Sequence, residues 1–207
     1  MVPQHLDPLL LDGIADDDGL VEREIRGSAV TADAERVSIT RSTLVGVRLT
    51  GVQLRRPELT DVALVDCDLA GAVVEEGWFV RVSFTRCRLS GADLGGAELT
   101  DVRFVDCQLD ELGLRMVAAA RLVVEGCSAT GVDLYRARLA GSTWNRTDLT
   151  GAELSGADLA RARLHGSTIA ELRGASALKG AVIDPDQVVA VGLALIADSG
   201  IVIDDDA

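Results

Sequence analysis

The sequence predicts an all-β chain wound into a four-sided parallel β-helix, and three observations predict it. A large apolar residue recurs at every fifth position from Ile39 to Ile169. A second position, small or β-branched, precedes each of these by two residues and begins Val37, Ser42, Val47, Val52. The four cysteines, Cys67, Cys87, Cys107 and Cys127, stand 20 residues apart, all in that second position.

Of the 27 fifth positions, 25 are Leu, Ile, Val, Phe or Trp, with Ala119 and Ala129 the exceptions. Their partners depart from small or β-branched only at Pro57, Leu112 and Leu122. None of these sites is charged, although 26% of the chain is. A fixed period that excludes charge marks a repeat protein. Five fits neither the 3.6 of a helix nor the 2 of a strand. Two inward residues followed by a gap of three suit a short extended segment and then a corner. The corner is often glycine, as at Gly46, Gly51, Gly71, Gly91 and Gly151, because glycine accepts the backbone angles of tight turns.

The cysteine spacing sets four corners per coil, and the charges agree. Asp61, Arg81, Asp101 and Arg121 alternate in sign at a step of 20. So do Asp66, Arg86 and Asp106, and Arg48, Asp68 and Arg88. Arg55 with Glu75 and Arg56 with Glu76 follow the same step. With coils about 4.8 Å apart, each column sets opposite charges on successive rungs. About seven such coils make a rod roughly 34 Å long.

Segments such as Gly91-Ala92-Asp93-Leu94, Gly96-Ala97-Glu98-Leu99, Gly151-Ala152-Glu153-Leu154 and Gly156-Ala157-Asp158-Leu159 resemble the A(D/N)LxX motif of the pentapeptide-repeat family. The resemblance covers about two thirds of the chain and implies a right-handed quadrilateral β-helix.

Three segments follow. Residues 1–24 do not keep the beat; they hold Asp16-Asp17-Asp18, two prolines and Leu9-Leu10-Leu11, and read as a loose acidic lead-in. Residues 25–172 are the β-helix, with Ile25 and Val30 starting it in a shifted register that rejoins near Ala34. Residues 173–207 are a cap and dimerisation segment. Asp184-Pro185 supplies an N-cap and a first helical residue, and Gly200 the stop. Between them Val188, Val189, Val191, Leu193, Leu195 and Ile196 spread around the whole helix. A helix apolar on all sides must be covered on all sides. One face seals the coil and the other predicts a homodimer contact; the alternative cover is the tail Ile201-Val202-Ile203. Candidate cap or dimer contacts are Val188, Val191, Leu195 and Ile196.

The net charge of −13 is uneven. Residues 1–36 contribute −6, residues 37–173 only −2 and residues 174–207 −5. The coil body is therefore nearly neutral. The longest apolar run, Val188 to Ala197, is too short to span a bilayer, and no basic run precedes an apolar stretch at the start. The chain reads as cytoplasmic, with no membrane contact. The cysteines read as small reduced core residues. A straight ladder of thiols cannot wrap a tetrahedral metal ion, and disulfides between rungs, though within reach, are disfavoured in a reducing compartment.

Catalytic chemistry finds no support. His5 and His165 share no spacing with a nucleophile or a carboxylate pair. There is no CxxC, HExxH or phosphate-loop pattern, so neither cofactor nor metal is expected. Asn145-Arg146-Thr147 is a chance glycosylation triplet in a cytoplasmic chain. Trp144 belongs to the core, in the column of Phe84, Phe104 and Val124. Trp78 should face outward: it either lies flat over Gly77 and Ala97 or stands free as a candidate interface residue.

The expected function is a non-catalytic rigid scaffold for a protein partner that the sequence does not name. The alternative comes from the resemblance, since some pentapeptide-repeat proteins mimic DNA, bind DNA gyrase and lessen quinolone action. The segment Gly180-Ala181-Val182-Ile183-Asp184, with the apolar helix and Gly200-Ile201, is similar to the dimerising C-terminus of that subgroup. Against it stand the near-neutral body, the arginines that interrupt the acidic columns, and an unbroken beat that leaves no room for a projecting loop. Direct nucleic-acid binding is not expected.

Overall fold

The computed structural model describes residues 19–201, apart from Ser28 and Thr31. The described strands are β1 (Gly19–Val21), β2 (Glu24–Arg26), β3 (Ala34–Glu35), β4 (Ser38–Val45), β5 (Gln53–Arg55), β6 (Glu58–Val65) and β7 (Val73–Glu75). Then come β8 (Trp78–Thr85), β9 (Glu98–Thr100), β10 (Arg103–Val105), β11 (Ala118–Ala120), β12 (Val123–Glu125), β13 (Thr143–Asn145) and one helix, α1 (Val188–Ser199). Every strand pairing is parallel. From Ala34 to Arg173 the register is 20, as in Leu64↔Phe84 and Val124↔Trp144, and the last bridge, Arg163↔Val182, steps 19. Isolated bridges carry the same step from Arg48 through Asp68, Arg88, Gln108, Ser128 and Asp148 to Thr168. The chain is therefore a solenoid of four five-residue sides per coil.

Pairing starts earlier than the boundary at residue 25. Gly19, Leu20 and Val21 already pair with Ser38, Ile39 and Thr40, at a step of 19. Ile25↔Leu44 and Ala29↔Arg48 keep 19, and Ala34↔Leu54 restores 20. The first coil is thus one residue short between Val30 and Ala34, where four residues do the work of five. Leu20 sat outside the beat only because of that slip. The segments Leu9–Leu11 and Asp16–Asp18, and Val202 and Ile203 of the tail, lie outside the described residues.

The inward assignment holds. All 27 positions of the smaller set are buried, and so are 25 of the 27 large ones; Leu54 and Ala119 are half-buried. Phe84 and Phe104 stack with centroids 4.7 Å apart, and Trp144, 1% exposed, continues their column. The free space on the axis among Leu134, Trp144, Leu149 and Leu154 is only about 10 Å³, and its apolar lining offers a water no partner.

The corners depart from a glycine rule. Every fifth residue from Arg36 to Glu171 has a positive φ, between 47° and 73°, whether or not it is glycine. Seventeen of these 28 are Arg, Asp, Glu or Met. A left-handed L-residue costs about 1–2 kcal/mol, and bonds between coils offset it. Arg56 N–H donates to Glu75 O at 2.7 Å and Arg86 N–H to Val105 O at 2.9 Å. Charged residues at the corners also reach their ladder partners.

The acidic residue of the repeat motif has its own task. On sides that form no regular strand, its carboxylate accepts the N–H two residues on. Asp93 does so from Gly95 at 2.8 Å, Asp133 from Tyr135 at 2.9 Å and Asp158 from Ala160 at 3.0 Å. These amides would otherwise point to solvent without a partner.

Candidate interaction surfaces

The alternating charges form ladders along the corners. Arg86 grips Asp66 through two bonds of 2.7 and 2.9 Å. Arg81 holds Asp61 at 2.5 and 2.8 Å, and Arg121 holds Asp101 in the same forked way. Arg56 reaches Glu76 at 2.8 Å, Arg55 reaches Glu75 at 3.3 Å and Arg88 reaches Asp68 at 3.6 Å. The hydrogen-bonded guanidiniums hold the Asp61, Asp66 and Asp101 carboxyls below the usual carboxylate range. These pairs consume arginines that could have met an outside anion.

Counted from the side at Ser38–Arg41 as the first, the third side of the coil, which carries Arg48, Gln108 and Asp148, differs in its C-terminal half. From Gln108 to Glu171 its outward and corner positions hold Asp110, Glu111, Asp148 and Glu171 and no base. Asp110 Oδ1 accepts from Ser128 Oγ, from Thr130 Oγ1 at 2.7 Å and from Thr130 N at 3.1 Å. Asp148 Oδ1 accepts from Thr150 Oγ1 at 2.6 Å. These acids are tied down by neutral donors, so their charge remains.

The inward cysteines are free and buried. They act as hydrogen-bonding residues as well as filler. Cys87 N–H donates to Cys107 Sγ at 3.4 Å, and Cys107 N–H to Cys127 Sγ at 3.3 Å. The column continues as Thr147 and Ser167, where Thr147 N–H donates to Ser167 Oγ at 3.0 Å. The neighbouring Cys107 thiol, together with burial, pushes the Cys87 and Cys127 thiols up. No group of three or more His, Cys, Asp or Glu that could hold a metal ion exists among the described residues. His5 lies outside them. His165 Nδ1 contacts Asp184 Oδ1 at 2.7 Å, a link between the coil and its cap.

That link helps lock the cap. Asp184 caps the turn in a box with Gln187, whose Oε1 accepts the Asp184 N–H at 2.8 Å, and its carboxylate Oδ2 also accepts the Gly166 N–H of the coil at 2.6 Å. This amide and His165 hold the Asp184 carboxyl low. Gln187, buried in the 3₁₀ turn Pro185–Gln187, donates to Leu164 O at 2.7 Å and Ser167 O at 2.5 Å. At the far end of α1, Asp198 accepts from Gly174 N at 3.1 Å. Gly200, at φ 72°, ends the helix.

Between these anchors α1 lays Ala190, Val191 and Ala194 on the core. The opposite face is bare: Val188 is 57%, Val189 72%, Leu193 58% and Leu195 43% exposed. The four expected contacts therefore divide. Val191 seals the coil, Val188 and Leu195 face outward, and Ile196 is half-buried. Val189 and Leu193 were missed, and their i, i+4 spacing was the available signal. No described helix is long and apolar enough to cross a membrane.

Trp78 heads β8 and is 53% exposed, the largest exposed apolar side chain among the described residues. The wall does not cover it. Gly77 is buried beside it, and a Cβ there would fall 2.6 Å from Val74 Cγ1.

Comparisons place this geometry. No curated protein matches the sequence. Among solved structures, a trypsin-treated variant of QnrB1, a plasmid-mediated fluoroquinolone resistance protein, is 17% identical, with 98% of this chain and 100% of that chain covered and a TM-score of 0.49. HetL, a pentapeptide-repeat protein involved in heterocyst differentiation regulation in the cyanobacterium Nostoc sp. strain PCC 7120, is 19% identical over 81% of this chain and 87% of its own, with a TM-score of 0.33. Rfr23 from the cyanobacterium Cyanothece 51142 is 20% identical over 69% and 91%, with a TM-score of 0.32. The family model described as a pentapeptide repeat region matches residues 37–114 and 97–173, the span over which the five-residue beat and the 20-residue register coincide. The chain belongs to the pentapeptide-repeat family.

Proposed function

We propose that this protein is a non-catalytic scaffold, a rigid rod that presents its sides to a protein partner and works as a homodimer joined through α1. The bare apolar face of α1 carries the reading. Asp184, Gln187 and Asp198 fix the helix to the coil, so the face cannot fold inward. Val188, Val189, Leu193 and Leu195 then stay in water unless a second copy covers them. A two-fold contact would be self-complementary. The dry core and saturated ladders support a stiff rod, and the free buried cysteines suit a reducing cytoplasm. Light scattering tests the dimer. The wild type should show twice the chain mass and the double variant Val189→Glu, Leu193→Glu the single mass with an unchanged circular dichroism spectrum. A wild type that stays monomeric at high concentration sinks it.

A second reading is a DNA-mimicking modulator of DNA gyrase. The third side favours it, because Asp110, Glu111, Asp148 and Glu171 form a baseless stripe toward the end that would meet the second copy. The neutral ladders of the N-terminal coils confine that stripe to half of each rod. A gyrase supercoiling assay with the protein titrated in decides: inhibition at low micromolar supports mimicry, and no effect at tens of micromolar removes it.

A further inference from the structure

The first side of the coil carries a column in which Glu58 pairs in register with Trp78, and Trp78 with Glu98. Neighbouring rungs lie about 4.8 Å apart, so the exposed indole stands between two carboxylates. Both glutamates are exposed, and neither has an ion-pair or side-chain hydrogen-bond partner among the described residues. The arginines nearby are already taken: Arg81 by Asp61, Arg56 by Glu76 and Arg121 by Asp101. Arg138 lies two rungs beyond Glu98, about 10 Å away. The site therefore has uncompensated negative charge on either side of a ring whose face itself attracts cations.

Beyond Glu98 the wall dips. Ala119, one of the two alanines on the beat, stands where the other coils of this side have a large residue, and it is half-buried with Ala118 and Ala120 on either side. The resulting depression is shallow, about 230 Å³, and runs from Glu98 and Thr100 across the alanines to Arg138. It is apolar on its floor and directly continues the Trp78 column.

We propose that this column is a docking site for a short cationic segment of a partner protein. An arginine side chain lies over the Trp78 ring between Glu58 and Glu98, and an aliphatic neighbour enters the dip over Ala119. Arginine fits better than lysine, because its planar fork can stack on the indole and bond a carboxylate at once. The charge complementarity selects this occupant over an acidic or neutral one. The inference deepens the scaffold reading, which leaves the partner's chemistry open, but it does not depend on the dimer.

The probe is an eight-residue peptide of alternating Arg and Leu with blocked ends, titrated calorimetrically into the full chain. Trp144 is buried, so a change in tryptophan emission on titration reports Trp78. The wild type should bind, with affinity falling as salt rises. The double variant Glu58→Gln, Glu98→Gln and the variant Trp78→Ala should each weaken binding tenfold or more. Trp78→Phe should retain most of it, and Glu111→Gln, on the acidic third side, should change it less than twofold. The dimer-breaking variant should bind as the wild type does, which separates failure of this site from failure of the dimer. No binding, or binding equally weakened by Glu111→Gln, overturns the proposal. A fall in assembly mass in Trp78→Ala also overturns it, by assigning the column to a second copy of the chain.

Discussion

Cys107 allows a sharp test of what the inward thiols do. Its Sγ accepts the Cys87 N–H at 3.4 Å, and its own S–H can donate to Val105 O at 3.3 Å. Cys87 and Cys107 are each 2% exposed, so water cannot replace the acceptor. Cys107→Val puts a somewhat larger apolar group there and strands that amide, at a cost of about 1–3 kcal/mol. Cys107→Ser keeps both bonds, as Ser167 does in the same column with Thr147 N–H, and gives up a little apolar transfer. Cys107→Ala removes acceptor and volume together. In a chain of this length 2 kcal/mol shifts Tm by roughly 4–8 °C. Thermal unfolding followed by circular dichroism should therefore rank Ser above both Val and Ala. A slot that only needs filling gives the reverse, with Val first and Ser last, since Ser buries the most polar group. That order, or three equal melting temperatures, would refute the hydrogen-bonding role. Using both a smaller and a larger apolar substitute removes size as an explanation.

Three further outcomes follow from the geometry. A Cβ on Gly174, whose φ is 71°, would fall 2.4 Å from Ser155 N and 2.6 Å from Ser155 Cα, so Gly174→Ala should cost about 2–4 kcal/mol and speed proteolysis of α1. Met116 is exposed at φ 57°; Met116→Gly should relieve left-handed strain and stabilise the chain by about 0.5 kcal/mol after the extra unfolded-state entropy, read as a higher guanidinium midpoint. Asp61, Asp66 and Asp101 have lowered carboxyl pKa values in the fold, so their pairs stabilise it above the ordinary carboxylate range and that help is lost as pH falls below about 4. The triple variant to Asn should accordingly show a flatter fall in Tm between neutral and strongly acidic pH than the wild type.

The solenoid was legible because each coil repeats one local rule. The side chains at the two inward positions meet their own kind one coil away, so a spacing in sequence becomes a spacing in space without any long-range search. Trp144 could be assigned to the core from its place on the beat alone, and the Asp61, Arg81, Asp101, Arg121 column from its step. The first coil was harder, since one residue fewer between Val30 and Ala34 broke the count and hid Leu20. At the C-terminus the chain stops repeating, and composition no longer says which face of α1 turns inward. Docking through Gln187, Ala190, Val191 and Ala194 decides that, and it leaves Val189 and Leu193 outside. Trp78 shows the same limit, because its outward position follows from the beat while its exposure depends on what the neighbouring rungs place around it. The sequence by itself determined the repeat, the core and the charge ladders, all set by contacts between equivalent residues of adjacent coils. The tertiary structure alone decided the bare face of α1, the unpaired glutamates beside Trp78 and the acceptor role of the cysteines, because each depends on which of several neighbours takes a given bond or surface.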